Sequence, residues 1–153
     1  MPGPDAVVSV RPLRLADEAD WRRLWTGYLT FYEATVPEEV YQETFRRLLT
    51  SDDTLPRGLV AERDGTLVGL VHYMFHPHCW RIERVCYLQD LFADPAVRGE
   101  GVGRALIEAV YAAADAAGAP AVYWSTQEFN TEARKLYDRI GRLTPFIKYQ
   151  RPL

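Results

Sequence analysis

The 153-residue sequence has few cysteines and no long apolar segment. Its two cysteines, Cys79 and Cys86, are seven positions apart, a spacing that fits neither a Cys-x-x-Cys motif nor a disulfide framework. No apolar run approaches the roughly 18 residues of a membrane span, and the start of the chain lacks the basic and apolar regions of a signal peptide. We therefore expect a cytoplasmic protein with two idle thiols.

The sequence also lacks a basic tract and a recognised metal-binding spacing. Its formal net charge is −3 and its basic residues are scattered, which argues against nucleic-acid binding and favours a cationic substrate. His76, His78 and Cys79 lie close together, but a tetrahedral site would need a fourth ligand such as His72, and no zinc pattern is present. We expect no metal site.

The hydrophobic pattern predicts one mixed α/β domain over residues 1–153, with a loose tail at residues 1–6. With 48% hydrophobic residues, a chain of this length suits a single core. Periodicity and turn signals predict, in order, a strand at 7–10, a helix after Asp17, a helix with Pro37 in its first turn, strands at 59–62, 67–71 and 84–92, a helix at 102–117, a strand at 121–125, a helix from 130 and a last strand at 146–149. This order predicts an α/β (α+β) fold: a central twisted sheet, antiparallel early and parallel later, flanked by about four helices.

The most informative segment, residues 94–106, is a glycine-rich turn that leads directly into an amphipathic helix. Gly99, Gly101 and Gly103 alternate, so the backbone can approach a ligand closely and the first helical amides can face an anion. A P-loop would require Gly-Lys-Ser/Thr, and a dinucleotide fingerprint would require a further glycine three positions after Gly103. The remaining pattern, Arg-x-x-Gly-x-Gly from Arg98, indicates a site for the diphosphate of a nucleotide-containing cofactor.

This pattern resembles the pyrophosphate-binding motif of the GNAT superfamily, the acetyl-CoA-dependent N-acetyltransferases. Two other segments carry the same resemblance. Residues 130–137 match the superfamily pattern Asn-x-x-Ala-x-x-Leu-Tyr, and residues 87–93 resemble the central strand that precedes the glycine loop. The strand, the loop and the short C-terminal ending look most like the histone-and-polyamine acetyltransferase branch.

The resemblance implies acetyl-CoA as co-substrate and assigns residues to it. Main-chain groups of the strand would bind pantetheine and the thioester oxygen, and Asn130 would bind the pantetheine arm. Because asparagine is also a preferred N-cap, Asn130 could instead begin the last helix. The implied cofactor-binding residues are Leu91, Phe92, Ala93, Arg98, Gly99, Gly101, Val102, Gly103, Arg104, Asn130 and Tyr137.

Acetyl transfer to an amine requires a proton for the departing thiolate and a base for the amine. The resemblance places Tyr137 beside the sulfur as general acid, although Tyr137 also belongs to an apolar helical stripe and could be core. Gln89 stands where polyamine acetyltransferases carry a glutamate, and glutamine cannot accept a proton. Asp90 could, directly or through water, and its side chain should point to the face opposite Gln89. His72 is a further candidate base.

Aromatic residues in the first helix and near the last one could line an acceptor pocket through cation–π contacts. They are Trp21, Tyr28, Phe31, Tyr32 and Trp124, with Glu33 close by. The leading hypothesis is an N-acetyltransferase that transfers acetyl directly to a primary amine of a polyamine, protein lysine or small molecule. The alternative, motivated by Gln89, is a non-catalytic acyl-CoA-binding or sensing module of the same fold.

The end of the chain departs from the superfamily pattern. About a dozen residues follow Gly141, enough for one strand where two are usual. A missing strand leaves a sheet edge that a partner chain can cover. Because the branch that the sequence resembles associates through C-terminal strands, we expect a homodimer of that kind.

Overall fold

The computed structural model describes residues 7–153, which form a five-stranded sheet with helices on both faces. The loose tail predicted for residues 1–6 lies outside the described residues. In chain order the elements are β1 (Ser9–Pro12), α1 (Glu18–Phe31), α2 (Glu38–Leu48), β2 (Arg57–Arg63), β3 (Thr66–His76), β4 (Val85–Ala93), α3 (Val102–Ala116), β5 (Val122–Tyr123) and α4 (Thr131–Ile140). No helix among residues 7–153 is long and apolar enough to cross a membrane.

The sheet order follows the chain, β1-β2-β3-β4-β5. The first three pairings are antiparallel and the β4–β5 pairing is parallel, which confirms the predicted mixed sheet. Asp64 and Gly65 join β2 to β3 with φ values of 50° and 78°. Two consecutive positive φ angles fit the tight hairpin turn that an Asp-Gly pair favours.

Two hydrophobic clusters cover opposite faces of the sheet. One packs α1 and α2 on the sheet and the other packs α3 on it. On each face of the sheet a glycine lets a helix and a strand pack closely. A Cβ added at Gly27 of α1 would lie 2.7 Å from Cζ of Phe92, and one added at Gly69 of β3 would lie 2.8 Å from Cγ1 of Val102. The start of α3, and the glycine loop before it, is therefore held tightly against β3.

The structure differs from prediction in the last two strands. β5 is only two residues long, because its ladder with β4 is limited to the pairs Cys86–Val122 and Tyr87–Tyr123. The strand predicted at 146–149 is wrong for the single chain, since residues 141–153 contain no strand. Apolar residues favour strands only where a neighbouring strand offers a ladder, and this segment joins none.

Candidate active site

The cleft that defines the site opens where β4 and β5 separate. β4 pairs with β5 only as far as Tyr87, but it continues to Ala93 paired with β3 alone. The main-chain groups on the open side of residues 88–93 therefore have no strand partner, and buried main-chain groups need one. Leu91, Phe92 and Ala93, the residues that the sequence assigns to a pantetheine arm, lie along this open edge.

A β-bulge at Gln89 decides which side chain faces the α1 side of the cleft. His72 pairs with Asp90 and the next residue, Tyr73, pairs with Leu88, so Gln89 is an extra residue in β4. Leu88 packs in the cluster on the α3 face, whereas Asp90 turns toward α1. Simple alternation, on which the predicted orientation of Asp90 relative to Gln89 rested, is thus interrupted at this point.

The glycine loop has room and a favourable local dipole for an anion. Gly99 and Gly101 have φ values of 82° and 86°, and a Cβ added at either would meet nothing within 4 Å. α3 begins at the next residue, Val102, with no acidic residue in its first turn. The side chain of Val102 is buried, so only its main chain can face a ligand. These features fit a diphosphate at the start of a helix.

The two arginines assigned to the diphosphate have different surroundings. The Arg98 guanidinium lies over the rings of Phe31 and Phe92, 5.6 Å and 6.0 Å from their centroids. None of the ion pairs within residues 7–153 includes Arg98. Arg104 is exposed and its Nε lies 2.8 Å from Oε1 of Glu108. Arg98 is therefore better placed than Arg104 to bind a phosphate group of a ligand.

Helix α4 presents Tyr137 as a half-buried phenol. Its ring meets that of Trp124 edge-on, with centroids 5.5 Å apart. Burial, supplemented by the nearby Tyr32, raises the pKa of Tyr137 to about 12, so the hydroxyl keeps its proton at neutral pH. Asn130 occupies the N-cap position of α4, but its side-chain amide donates to Oγ1 of Thr126 at 3.2 Å and does not cap the helix.

Asp90 is held from two sides by nitrogen donors. Its Oδ2 lies 2.8 Å from Nδ1 of His72 and 3.3 Å from Nε1 of Trp25. Burial on its own would raise the pKa of Asp90, but the hydrogen bond from His72, with help from Tyr28 and Trp25, lowers it below the ordinary value. The carboxylate, whose side chain is 13% exposed, is therefore a stable negative charge at the edge of the cleft.

The aromatic residues predicted to line an acceptor pocket differ in burial. Trp21 is completely buried in the core and cannot line a pocket. Tyr28 and Tyr32 are half-buried, with ring centroids 5.0 Å apart. Burial, with the charge of Asp90, raises the pKa of Tyr28. Burial likewise raises the pKa of Tyr32.

Sequence reasoning missed Trp25 and did not connect His72 to Asp90. Trp25 follows Trp21 by one helical turn, so its position on the buried stripe of α1 is readable, but its bond to a carboxylate on β4 is not. His72 and Asp90 are eighteen positions apart and meet only because of the strand register and the bulge. No pattern in the sequence signals that register.

Comparison with protein-family models finds a match to the acetyltransferase (GNAT) family over residues 21–141. The chain is 37% identical over 145 residues to D-amino-acid N-acetyltransferase HPA3 of Saccharomyces cerevisiae, an alignment that covers 94% of this chain and 90% of that protein. It is 26% identical to the uncharacterized N-acetyltransferase YhfO of Bacillus subtilis, covering 93% of this chain and 95% of that one.

Solved structures share the fold at low sequence identity. AAC(6')-Iy in complex with a CoA-containing bisubstrate analogue superposes with a TM-score of 0.83 at 19% identity, covering 97% of this chain and 99% of the other. Ribosomal-protein-alanine N-acetyltransferase of Brucella melitensis biovar Abortus 2308 gives 0.77 at 23% identity, covering 96% and 100%. At these identities the likeness establishes the architecture alone.

Proposed function

Because the chain belongs to the acetyltransferase (GNAT) family and is an acyl-CoA-dependent N-acetyltransferase, we propose that it acetylates a primary amine of a small molecule by direct attack in a complex with both substrates. The observation that carries this proposal is the ionised Asp90 carboxylate at the cleft between β4 and β5. We assign Tyr137 of α4 to the same site. This assignment is supported by Tyr32, which contributes to the raised pKa of Tyr137 and whose own pKa is raised in part by Asp90.

The co-substrate side of the site is built from main-chain groups supplemented by three side chains. The open edge of Leu91, Phe92 and Ala93 suits the amide groups of pantetheine. Asn130 is the side chain that we assign to the same arm. We assign the diphosphate to the main-chain amides of Gly99, Gly101, Val102 and Gly103. The guanidinium groups of Arg98 and Arg104 supplement them.

Acetyl-CoA supplies a thioester whose C–S bond breaks as the new N–C bond forms. An acceptor ammonium has an ordinary pKa of about 10.4 and must lose a proton before its nitrogen can attack. Asp90, directly or through a water molecule, takes that proton and passes it to solvent. The nitrogen gives up a second proton after attack, and Tyr137 donates one to the departing thiolate and is reprotonated in turn. The products are the acetamide, CoA thiol and one released proton.

The charge of the site supports a cationic small-molecule acceptor. Asp90 is negative, and the half-buried ring of Tyr28 lies beside it, an arrangement that attracts an ammonium group. Among the proteins named above, HPA3 is named for D-amino acids and AAC(6')-Iy for aminoglycosides, whereas the Brucella protein is named for an alanine of a ribosomal protein. A polyamine or a protein lysine carries the same charge, and a panel of acceptors distinguishes these classes.

The test is release of CoA thiol from acetyl-CoA by the purified protein, with D- and L-amino acids, spermine, spermidine, small diamines, an aminoglycoside and a lysine peptide as acceptors. We expect release above the hydrolysis background with one class of small amine. Release only with the lysine peptide would contradict the small-molecule assignment. No release with any acceptor, despite CoA binding, would favour the sensing module that Gln89 suggested.

We also propose that two copies associate through the C-terminal segment. Residues 141–153 join no strand of their own sheet and expose five large apolar side chains, namely Leu143, Phe146, Ile147, Tyr149 and Leu153. Exposed apolar groups of this number in one segment mark an association surface. The edge strand β5 is only two residues long, so the sheet has an open edge at this end of its strand order.

Molar mass in solution tests the dimer. Light scattering should give twice the 17.5 kDa chain mass for the wild type and a shift toward the single-chain mass for Phe146→Lys/Ile147→Lys. Phe129→Lys, an equally exposed aromatic outside the segment, is the control and should stay dimeric. A monomeric wild type would contradict the proposal.

A further inference from the structure

A directed chain of hydrogen bonds runs from the core to the Asp90 carboxylate. Trp21 Nε1, which can only donate, lies 3.0 Å from Nε2 of His72. Nε2 must therefore accept, so the ring proton of the neutral imidazole is on Nδ1 and points to Oδ2 of Asp90, 2.8 Å away. The chain links α1, β3 and β4 and fixes one tautomer of His72.

The exposed fraction increases along this chain. Trp21 is 0% exposed and His72 is 3% exposed, whereas the Asp90 side chain is 13% exposed. Solvent and substrate can therefore reach the network only at Asp90. Within residues 7–153, the hydrogen bonds from His72 and Trp25 both end on Oδ2, and Tyr28 also stabilises the anion.

Burying His72 costs free energy, and at 3% exposure its ring is out of reach of an acceptor molecule. A buried imidazole needs partners for both ring nitrogens, and here one partner is a core indole and the other is the carboxylate. The bulge at Gln89 is what turns Asp90 toward His72, since Leu88 packs on the opposite face. The bulge thus sets the direction of the Asp90 side chain, and the buried histidine holds it there by a hydrogen bond.

We propose that His72 is a positioning residue for acetyl transfer: with Trp21 behind it, it fixes the rotamer and the ionised form of Asp90 so that the carboxylate is held ready for the acceptor amine. His72 does not touch the substrate and does not itself accept its proton. This inference rests on the role proposed above for Asp90, and it assigns a function to a buried histidine that the reaction does not otherwise use.

The titratable groups that face Asp90 come from two elements. His72 is on β3, Tyr28 is on α1, and Tyr32 directly follows α1. Both phenols stay protonated at neutral pH, because burial raises their pKa values. A change in the acid limb of the rate profile therefore reports on Asp90 and on how it is held.

Two substitutions at His72 separate positioning from packing. His72→Leu removes the donor to Asp90, whereas His72→Asn places an amide N–H near the position of Nδ1 and keeps that donor. We expect kcat/KM for the amine to fall on the order of 10- to 100-fold in His72→Leu and to be largely retained in His72→Asn. The acid limb should move to higher pH only in His72→Leu, because losing a donor to the anion raises the pKa of Asp90.

Binding and stability controls accompany these variants. CoA affinity should be unchanged in both. His76→Leu is a matched control, since His76 is on the same strand but bonds to Tyr123 and not to Asp90. Thermal unfolding of each variant shows how far packing is disturbed. If His72→Leu does not fold, His72→Gln takes its place, because the longer side chain moves the amide N–H away from the position of Nδ1.

A double-mutant cycle with Asp90→Asn distinguishes this inference from the proposed function. If His72 acts through Asp90, adding His72→Leu to Asp90→Asn should have little further effect on kcat/KM. Equal and additive losses would overturn the inference while leaving Asp90 its role. An active Asp90→Asn enzyme would overturn that role, and with it the positioning of Asp90 by His72. Wild-type rates and pH profile in His72→Leu, with an impaired Asp90→Asn, would overturn the inference alone.

Discussion

The two sides of the cleft are built from different parts of the polypeptide. On the co-substrate side, the open edge of β4 and the glycine loop present main chain from one continuous stretch of sequence. On the acceptor side, Asp90 is held by His72 from β3 and Trp25 from α1. Main-chain sites depend on conformation and side-chain sites depend on packing, so substitutions should affect the two sides separately.

Tyr137→Phe should lower turnover strongly and leave CoA binding almost unchanged. Removing the phenol proton should lower kcat on the order of 100-fold, while CoA affinity stays within about twofold because the ring still packs on Trp124. Tyr111→Phe is the control, since its hydroxyl donates to the Ile140 carbonyl at 2.8 Å and has a structural role. Equal losses in the two variants would show that Tyr137 supports α4 and does not supply the proton.

A smaller effect, on CoA binding, is expected for Gly101→Ala. A Cβ at φ 86° is strained, and relief of that strain should reorient the loop amides and weaken CoA binding by about 10-fold or more, with the amine KM little changed. Gly65→Ala carries similar strain at φ 78° in the β2–β3 turn and should leave CoA affinity intact. Similar CoA affinities in the two variants would contradict the assignment of the loop.

Arg98→Ala should have the next smaller effect. Loss of one guanidinium from an exposed diphosphate site should weaken CoA binding by about 3- to 10-fold, and the loss should shrink as salt is raised. Arg104→Ala should lose less, because Arg104 already pairs with Glu108. Titration of CoA at two ionic strengths measures both, and a larger loss at Arg104 would reverse the ranking.

The smallest effect concerns alkaline pH. Since the pKa of Tyr137 is raised to about 12, the general acid keeps its proton across the accessible range. We expect kcat to remain level from pH 8 to about pH 10. A fall in kcat with an apparent pKa near the ordinary tyrosine value of about 10 that disappears in Tyr137→Phe would show that the phenol is not desolvated in the complex.

Features that depend on neighbouring residues are predictable from the sequence, whereas contacts between distant residues are not. The positions of α1, α3, the β2–β3 hairpin and the glycine loop follow from periodicity, from Asp64–Gly65 and from alternating glycines, because each depends on neighbouring residues. The His72–Asp90 contact depends on strand register and a bulge, which local patterns do not encode. The wrong strand at 146–149 has a related cause, since a strand requires an edge as well as β-forming residues.

The separation of the two sides is tested most directly by Asp90→Asn, with amine kinetics and CoA titration performed on the same preparation. The shape of the side chain is kept and its charge and basicity are lost. We expect kcat/KM for the amine to fall about 100-fold or more and the CoA Kd to stay within about twofold. Undiminished turnover, or a parallel loss of CoA affinity, would contradict the division of the cleft described here.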